Sequence, residues 1–299
     1  MERPINLLAV LGAGTMGTQI ALLAANAGYQ VRIFDIQIGA FEQTMKTSKG
    51  IELLIPQEKW PMCLANIESV SDIGQAVSDV ELVIEVVPEI LDLKRRIWKE
   101  IGQKAHRGAI LATNSSSIPV SKLEEYGGRP GQSLNIHFYL GVPMADIMPG
   151  SKTTAHTLEV ATQWVRSLRI VPLTVKKEVL GFCFNRVWRA IKREVLWMWA
   201  EGYVDFRDVD RAWMLFNRMP VEASAFGPFS LMDQIGLDVV YDIEMVYYNE
   251  SRDPRDHPPR ALKEKIERGE LGVKTGQGFY QYPDPEYLNP DFLNPDASH

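Results

Sequence analysis

The amino-acid sequence predicts an α/β fold, in which an N-terminal doubly wound sheet precedes an all-helical C-terminal domain. The first ~175 residues alternate short apolar runs with helical patterns, which is typical of βαβ units around a parallel sheet. The apolar runs are nearly continuous, as expected for strands that are buried on both faces. Beyond them only helical patterns follow. We therefore place the boundary within Lys176–Leu180, which gives domains of residues 1–178 and 179–299.

The individual elements follow from the apolar patterns and their spacing. The predicted strands are Ile5–Gly12, Gln30–Asp35, Ile67–Val70, Leu82–Val87, Ala109–Thr113, Leu134–Tyr139 and Ile170–Val175. The helical patterns between them are Met16–Ala27, Leu91–Gln103 and His156–Leu168. The predicted C-terminal helices are Phe182–Ala200, Phe206–Arg218, Phe229–Tyr248 and Arg260–Arg268. The Pro-rich tail after Tyr282 is predicted to be irregular, because proline does not continue a helix.

Composition and charge exclude several classes of protein. Of 299 residues, 45% are hydrophobic and 23% are charged, which excludes disordered and collagen-like chains. A net charge of −6 without a long basic run argues against nucleic-acid binding. Two well-separated cysteines, Cys63 and Cys183, argue against a disulfide framework or a zinc site and fit a reducing compartment. The apolar run Ile5–Leu11 is too short to span a membrane. We expect a cytoplasmic protein without a metal ion.

A glycine-rich turn, GAGTMG, follows the first predicted strand and opens the first predicted helix. Gly12 permits the tight turn, Gly14 lets the backbone approach a pyrophosphate, and Gly17 lets the helix pack close to the strand. The helix start at Thr15 and Met16 offers N–H groups and a positive dipole end to phosphates. The pattern predicts a Rossmann domain that binds a dinucleotide.

An acidic residue, Asp35, ends the second predicted strand. A carboxylate at this place binds the two ribose hydroxyls of a dinucleotide and repels a 2′-phosphate. The following residues, Ile36 and Gln37, supply no cation for such a phosphate. The sequence therefore predicts NAD as the cofactor, in preference to NADP.

A histidine and an acid are candidates for acid–base chemistry. His137 ends a predicted strand, and a dehydrogenase needs a base of its kind to accept the alcohol proton as hydride leaves. A histidine in a buried strand is more often a core residue, so both interpretations stay open. Asp146 follows nine residues later, after Pro143. It either returns to face His137 and stabilise the imidazolium, or it occupies a turn.

Polar residues at two other places have open roles. The segment from Asn114 to Ser117 follows a strand at the edge of the sheet that faces ligands in this fold. Its hydroxyls can bond a substrate oxygen or the nicotinamide, and at least one is expected to cap the following helix. Asn185, in the first turn of the long helix, is either a polar interior residue or a helix-start hydrogen bonder.

Together these residues resemble the L-3-hydroxyacyl-CoA dehydrogenase family, from Ile5 to Tyr282. The landmarks, in order, are GAGTMG, Asp35, LVIEVVPEILDLK, ATNSSSIPVSKL, HFY, GFCFNR, GPFSLMDQIGLD and GVKTGQGFYQY. The resemblance implies an NAD-binding Rossmann domain, a helical dimerisation domain and a cleft between them.

The resemblance also implies roles for single residues. His137 matches the catalytic base, and Ser116 matches a serine that touches substrate and nicotinamide, 21 residues before the base. Asn185 matches an active-site asparagine. Three further residues match positions near the cofactor: Glu89, Lys94 and Lys274.

The segment after His137 departs from the family pattern. Where the family usually reads Phe-Phe-Asn-Pro and then Leu-Val-Glu, this chain has Leu140 in place of an asparagine that contacts the cofactor. The glutamate that pairs with the histidine has no identical counterpart. An ungapped comparison puts Pro149 in its place, and a two-residue deletion puts Asp146 there. We prefer Asp146, because that placement also aligns the following helix.

A second departure concerns coenzyme A, whose phosphates usually need clustered lysines or arginines. The family's helical hairpin after the second strand is often rich in lysine. Here Phe41–Asn66 contains only Lys46, Lys49 and Lys59. The missing cluster favours a substrate without coenzyme A.

The sequence therefore predicts an NAD-dependent oxidoreductase that transfers hydride reversibly between NAD and a small 3-hydroxy or 3-oxo acid-type substrate. An acyl-CoA such as 3-hydroxybutyryl-CoA stays open beside a hydroxy acid, a carnitine-like alcohol or a pyridine aldehyde. An NAD-binding, crystallin-like protein with little catalysis is the alternative from another class, since Leu140 and Pro149 weaken the site. The resemblance implies a homodimer formed through the C-terminal domain.

Overall fold

The computed structural model describes residues 5–217 and 227–289. The chain divides into two compact units, Met1–Asn185 and Arg186–His299. The described strands, all in the first unit, are β1 (Leu7–Leu11), β2 (Gln30–Phe34), β3 (Ile67–Val70), β4 (Leu82–Glu85), β5 (Ile110–Thr113), β6 (Ser133–Phe138), β7 (Met144–Pro149) and β8 (Val171–Thr174). They form one sheet in the order β3-β2-β1-β4-β5-β6-β7-β8. The first six strands run parallel, β7 is antiparallel to β6, and β8 is parallel to β7.

The helices of the first unit lie between the strands, and short 3-10 turns supplement them. They are α1 (Thr15–Asn26), α2 (Ala40–Thr47), α3 (Trp60–Leu64), α4 (Ile73–Val77), α5 (Leu91–Lys104) and α6 (Ala155–Ser167). The long helix α7 (Phe184–Ala200) spans the division between the units. The second unit continues with α8 (Phe206–Asn217), α9 (Pro228–Ile235), α10 (Leu237–Ser251) and α11 (Arg260–Glu267).

The sheet is covered on both faces, as its alternating side chains show. Leu8 and Val10 of β1 belong to one hydrophobic cluster, whereas Ala9 and Leu11 belong to a second. Successive side chains of a strand point to opposite faces, so each cluster marks one side of the sheet. All residues of β4 are buried. The predicted doubly wound sheet is therefore confirmed.

The strand order reverses at β1, which lies between β2 and β4. In open parallel sheets, ligands bind beyond the carboxyl ends of the strands at such a point. The glycine turn follows β1, Asp35 follows β2, and Asn114 follows β5. The candidate residues of the first unit thus leave the sheet at its ligand-binding edge.

All seven predicted strands are present. The sheet has one further strand, β7, which was not predicted. The segment holds Pro143 and Pro149 and lacks a run of β-branched residues, so no strand pattern stands out. Its pairing with β6 makes a hairpin in which Ile136 lies opposite Ile147. The alternative that Asp146 occupies a turn is therefore wrong.

The single helix predicted over Phe229–Tyr248 is also wrong, because the structure has α9 and α10 there. Gly236 stands between them with φ of +102°, a conformation that ends a helix. Arg218, the predicted end of the preceding helix, lies outside the described residues, as does the part of the Pro-rich tail beyond Asn289. None of the described helices combines the length and apolar character needed to cross a membrane.

The second unit is held together by two buried carboxylates beneath its aromatic core. Asp210 accepts hydrogen bonds from the Phe229 N–H at 2.9 Å and the Tyr280 hydroxyl at 2.8 Å. Asp233 accepts from the backbone N–H groups of Phe279 and Tyr280, both at 2.8 Å. The landmarks GPFSLMD and GFYQY are thus joined to each other and support the fold of this unit. The predicted domain division after residue 178 stays a prediction; the two compact units divide after Asn185.

Candidate active site

The glycine turn shows why two of its three glycines are required by the fold. Gly12 has φ of +115°, and a Cβ there would lie 2.6 Å from the carbonyl oxygen of Val86. A Cβ on Gly17 would lie 1.8 Å from the Gly12 carbonyl oxygen, so α1 packs on the turn only with glycine. Gly14 differs, because it is exposed and no described atom lies within 4 Å of where its Cβ would be. The space above Gly14 is therefore open to a ligand.

The start of α1 provides the donors for that ligand. Gly14 is the N-cap residue, so no side chain caps the first-turn N–H groups, which include those of Thr15, Met16 and Gly17. The Thr15 hydroxyl lies 3.0 Å from the Ser48 hydroxyl, which holds the turn against the end of α2. A helix N-terminus with free N–H groups and open space above it fits the pyrophosphate of a dinucleotide.

Asp35 lies at the carboxyl end of β2 and is bonded into the glycine turn. Its Oδ2 accepts the Ala13 N–H at 2.7 Å, and its Oδ1 accepts the Gln37 N–H at 2.9 Å. The carboxylate borders a cavity of about 230 Å³, and among the described residues its wall has two further acids, Glu42 and Glu68, and no lysine or arginine. Arg32 lies 3.5 Å from Glu68 and offsets its charge, so Asp35 and Glu42 are the acids of this wall that suit a ribose with free hydroxyls and oppose a 2′-phosphate.

Lys94 is buried and belongs to an ion-pair network that the sequence did not reveal. Its Nζ lies 2.7 Å from Glu85 Oε1 and 3.2 Å from Glu89 Oε2. Glu85 is fully buried and also accepts hydrogen bonds from the Thr113 hydroxyl at 2.8 Å and the Trp98 ring N–H at 3.3 Å. A single acid at the end of the apolar run of β4 was the only signal of this network. Its effect is to tie α5 to β4 and β5.

Glu89 holds the serine turn after β5. Its Oε1 accepts the Ser117 N–H at 3.0 Å and the Ser117 hydroxyl at 2.8 Å, and it also accepts the Ser115 hydroxyl. Burial alone would raise the pKa of Glu89, but Lys94 and these serine bonds outweigh it and lower that pKa. The turn leaves Ser116 exposed.

The serine that satisfies the local backbone is Ser115, whose Oγ accepts the Ile118 N–H at 2.7 Å. A 3-10 turn, Val120–Lys122, follows instead of the expected helix, so the bond closes a turn and caps no helix. Asn114 Oδ1 accepts the Phe138 N–H at 2.8 Å, which fixes the end of β5 beside His137.

His137 and Asp146 lie directly opposite each other in the β6–β7 pair. Residues opposite in an antiparallel pair project from the same face, so their side chains meet. His137 Nδ1 lies 3.6 Å from Asp146 Oδ2, which is contact but is longer than a hydrogen bond. The Asp146 side chain is fully buried, and 7% of His137 is exposed. The predicted return of Asp146 to His137 is realised by β7.

Tyr139 is a third member of this cluster, and the sequence did not single it out. Its hydroxyl donates to Asp146 Oδ2, and its ring stands edge-on to His137 with centroids 4.5 Å apart. Phe182 stacks on the other side of the imidazole, with centroids 5.2 Å apart and planes 10° apart. The available signal was the alternation of strand side chains, which puts Tyr139 on the same face as His137.

The last two candidates, Asn185 and Lys274, lie far apart along the chain, one in each compact unit. Asn185 is half-buried in the first turn of α7, and its backbone hydrogen-bonds the Tyr139 hydroxyl. Lys274 lies in the second unit, where its Nζ is 2.6 Å from Asp238 Oδ2. The structure thus brings Asn185 to the His137 cluster through its backbone, and the proposed cofactor role of Lys274 stays a prediction.

Comparison with known proteins decides the family. Residues 7–179 match the family model for the 3-hydroxyacyl-CoA dehydrogenase NAD binding domain, and residues 181–282 match the C-terminal domain of the same enzymes. The chain belongs to the 3-hydroxyacyl-CoA dehydrogenase family. As a member it is an NAD-dependent oxidoreductase that acts on CH–OH donors, and NAD is its cofactor.

Relatives of this dehydrogenase differ in their substrates. The 5-formyl-3-hydroxy-2-methylpyridine 4-carboxylate 5-dehydrogenase of Mesorhizobium japonicum is 30% identical over 283 residues, which cover 92% of this chain and 90% of the relative. The (S)-3-hydroxybutyryl-CoA dehydrogenase of Ralstonia eutropha is 30% identical with a TM-score of 0.83, covering 94% of this chain and all (100%) of that one. A diketoreductase is 32% identical with a TM-score of 0.79, and the match covers 93% of this chain and 99% of the diketoreductase chain.

Proposed function

We propose that this dehydrogenase transfers hydride reversibly between NAD and a small 3-hydroxy or 3-oxo acid-type substrate, with His137 as general base and Asp146 as its partner. The observation that carries the proposal is the register of β6 and β7, which puts a fully buried carboxylate opposite the imidazole. A carboxylate in that place stabilises the imidazolium that forms when the base accepts a proton.

The residues divide the work of the reaction. NAD, held by the glycine turn and Asp35, would supply the acceptor for the hydride that leaves the substrate carbon. His137 takes the hydroxyl proton on Nε2, while Nδ1 faces Asp146. The rings of Phe182 and Tyr139 cover the imidazole and limit the access of water to it. The exposed Ser116 hydroxyl and the Asn185 amide orient the substrate oxygen and the nicotinamide, as the family positions imply.

The NAD site is proposed residue by residue from the geometry above. The turn Gly12–Gly17 receives the pyrophosphate at the start of α1. Asp35 binds the adenosine ribose, and the pair of the buried Lys94 with the exposed Glu89 supports the nicotinamide half. The open space at Gly14 supports this placement, and so does a cavity wall at Asp35 in which the described lining residues include no lysine or arginine.

The preferred substrate class lacks coenzyme A. The segment 41–66 carries three lysines, Lys46, Lys49 and Lys59, which are balanced by Glu42, Glu52 and Glu58. A segment without net positive charge offers little to the phosphates of coenzyme A. Hydroxy acids, carnitine-like alcohols and aromatic aldehydes are the remaining candidates, and the pyridine-carboxylate relative supports the last. The second candidate is an acyl-CoA, which the similarity to 3-hydroxybutyryl-CoA dehydrogenase favours.

Acetoacetyl-CoA is expected to be a poor substrate, with kcat/KM below about 10⁴ M⁻¹s⁻¹. We would follow NADH absorbance with acetoacetyl-CoA, short β-keto acids and aromatic aldehydes at equal concentrations. The double replacement Gln57→Lys and Glu58→Lys adds positive charge at two exposed positions and is expected to lower KM for acetoacetyl-CoA only. A kcat/KM for acetoacetyl-CoA above that limit in the unchanged chain would contradict the preference for a substrate without coenzyme A and would favour an acyl-CoA substrate.

We also propose that the protein is a homodimer formed through its second unit. Several large apolar side chains are exposed there, among them Phe216 at 81%, Tyr203 at 68% and Trp197 at 48%. We expect light scattering to report twice the chain mass of 33.8 kDa. Phe216→Ser is expected to shift the mass toward the monomer, whereas Leu53→Ser, at a residue of the first unit that is 75% exposed, is not. A monomer at micromolar concentration would contradict the proposal.

A cytoplasmic location is proposed as well. Both cysteines are free, and Cys183 is exposed, which suits a reducing compartment. Fractionation of the native cells is expected to recover the protein with cytoplasmic markers, and recovery with secreted or membrane fractions would contradict this location.

A further inference from the structure

The Asp146 carboxylate is shared by more groups than one base would need. Its Oδ1 accepts the Cys183 N–H at 3.3 Å, and its Oδ2 accepts the Tyr139 hydroxyl. His137 Nδ1 approaches the same Oδ2 but stays at 3.6 Å. That nitrogen is buried and has no hydrogen-bond partner among the described residues. Tyr139 is therefore hydrogen-bonded to Asp146 Oδ2, the same oxygen that His137 Nδ1 faces.

The position of Tyr139 is set by the backbone and does not depend on a flexible loop. Tyr139 follows His137 by two residues, so it projects from the same face and reaches Asp146 diagonally across the strand pair. The buried Gln19 of α1 clamps the chain just beyond, because its amide donates to the Tyr139 carbonyl at 3.0 Å and accepts the Gly141 N–H at 2.8 Å. Phe184 packs edge-on against the tyrosine ring at 5.6 Å.

The Tyr139 hydroxyl stays a donor over the whole working range of a histidine. Burial, and next the bond to Asp146, raise the pKa of the Tyr139 phenol well above its ordinary value. A donor that neutralises part of a carboxylate's charge weakens that carboxylate as a partner for an imidazolium. Hydrogen bonds to charged groups are strong enough, at about 1.5–3 kcal/mol, for this competition to matter.

We propose that Tyr139 is a positioning residue for His137 and acts through the Asp146 oxygen that both side chains share. The inference rests on the proposed function, in which His137 is the base. Tyr139 keeps Asp146 in place and, by donating to the shared oxygen, weakens the attraction of that carboxylate for a proton on His137. In the described part of the first unit, the titratable groups that interact with Tyr139 are Asp146, the Cys183 thiol and the ring of His137.

The test is the proton titration of His137 in the full chain, measured by NMR on histidine-labelled protein with NAD present. The chain has five histidines, and the resonance lost in His137→Ala identifies the one required. Tyr139→Phe is expected to raise the midpoint of His137 by roughly 0.5–1 pH unit, because Asp146 is released to the imidazolium. The control is Tyr29→Phe, which removes a hydroxyl bonded to Ser167 at 2.6 Å and should leave the midpoint unchanged.

A second variant reverses the expected sign. Replacement of Tyr139 by 3-fluorotyrosine keeps the hydroxyl and makes it a stronger donor, so the midpoint of His137 should fall. This variant also serves if Tyr139→Phe fails to fold. A midpoint that either variant leaves in place, or moves the opposite way, overturns the role of Tyr139. The reading is independent of turnover, so an active His137→Ala would remove the proposed function without affecting this result.

Discussion

Replacement of His137 by alanine is expected to lower turnover by a factor of about 10²–10⁴, the usual contribution of a general base. The affinity for NAD should stay near that of the unchanged chain, because the glycine turn and Asp35 follow β1 and β2 whereas the histidine lies near the end of β6. Turnover is measured with whichever keto acid, aldehyde or acyl-CoA gives the highest rate, and NAD binding is measured by fluorescence.

The matched control is His156→Ala, which changes an exposed histidine at the start of α6 and should leave turnover unchanged. Asp146→Asn should lower turnover by as large a factor as His137→Ala or by a smaller one, since it removes the negative charge and the orientation of the imidazole but leaves the base itself. The double variant should be no worse than His137→Ala, because residues that act as one unit are not additive. Near-normal turnover in His137→Ala would eliminate His137 as the base.

NADH is expected to bind on the order of 100-fold more tightly than NADPH, a difference of about 2.7 kcal/mol. The 2′-phosphate would meet Asp35, with Glu42 in the same cavity wall. Asp35→Ser should weaken the binding of NADH, because the carboxylate that binds the ribose and its hydrogen bond to the Ala13 N–H are lost. The same change should narrow the gap between the two cofactors.

Fluorescence titration of both cofactors measures this preference. The control is Asp92→Asn, which removes an exposed acid in the first turn of α5 and should not alter the ratio of the two affinities. Equal affinities of the unchanged chain for NADH and NADPH would refute the assignment of Asp35 to the ribose.

Local pattern was enough to predict most of the sheet and its cofactor loop. Seven strands follow from apolar runs, because a strand buried on both faces needs such a run wherever it lies in the fold. Gly12 and Gly17 could be recognised because their roles depend on the short path from β1 to α1, and the structure confirms that a Cβ fits at neither. Asp35 was found in the same way, by its distance along the chain from the turn.

What the sequence by itself determined is therefore the family, the NAD cofactor and the order of the strands up to β6, since each depends on neighbours in the chain; the short helices α2, α3 and α4 were not predicted. Only the tertiary structure decided how the acids meet their partners. The sequence could align the position of the family's glutamate with either Asp146 or Pro149, whereas the β6–β7 register pairs Asp146 with His137 and Pro149 with Leu134. A shift of one residue in that register would turn Asp146 to the opposite face of the sheet, so the pairing is a property of the hairpin as a whole.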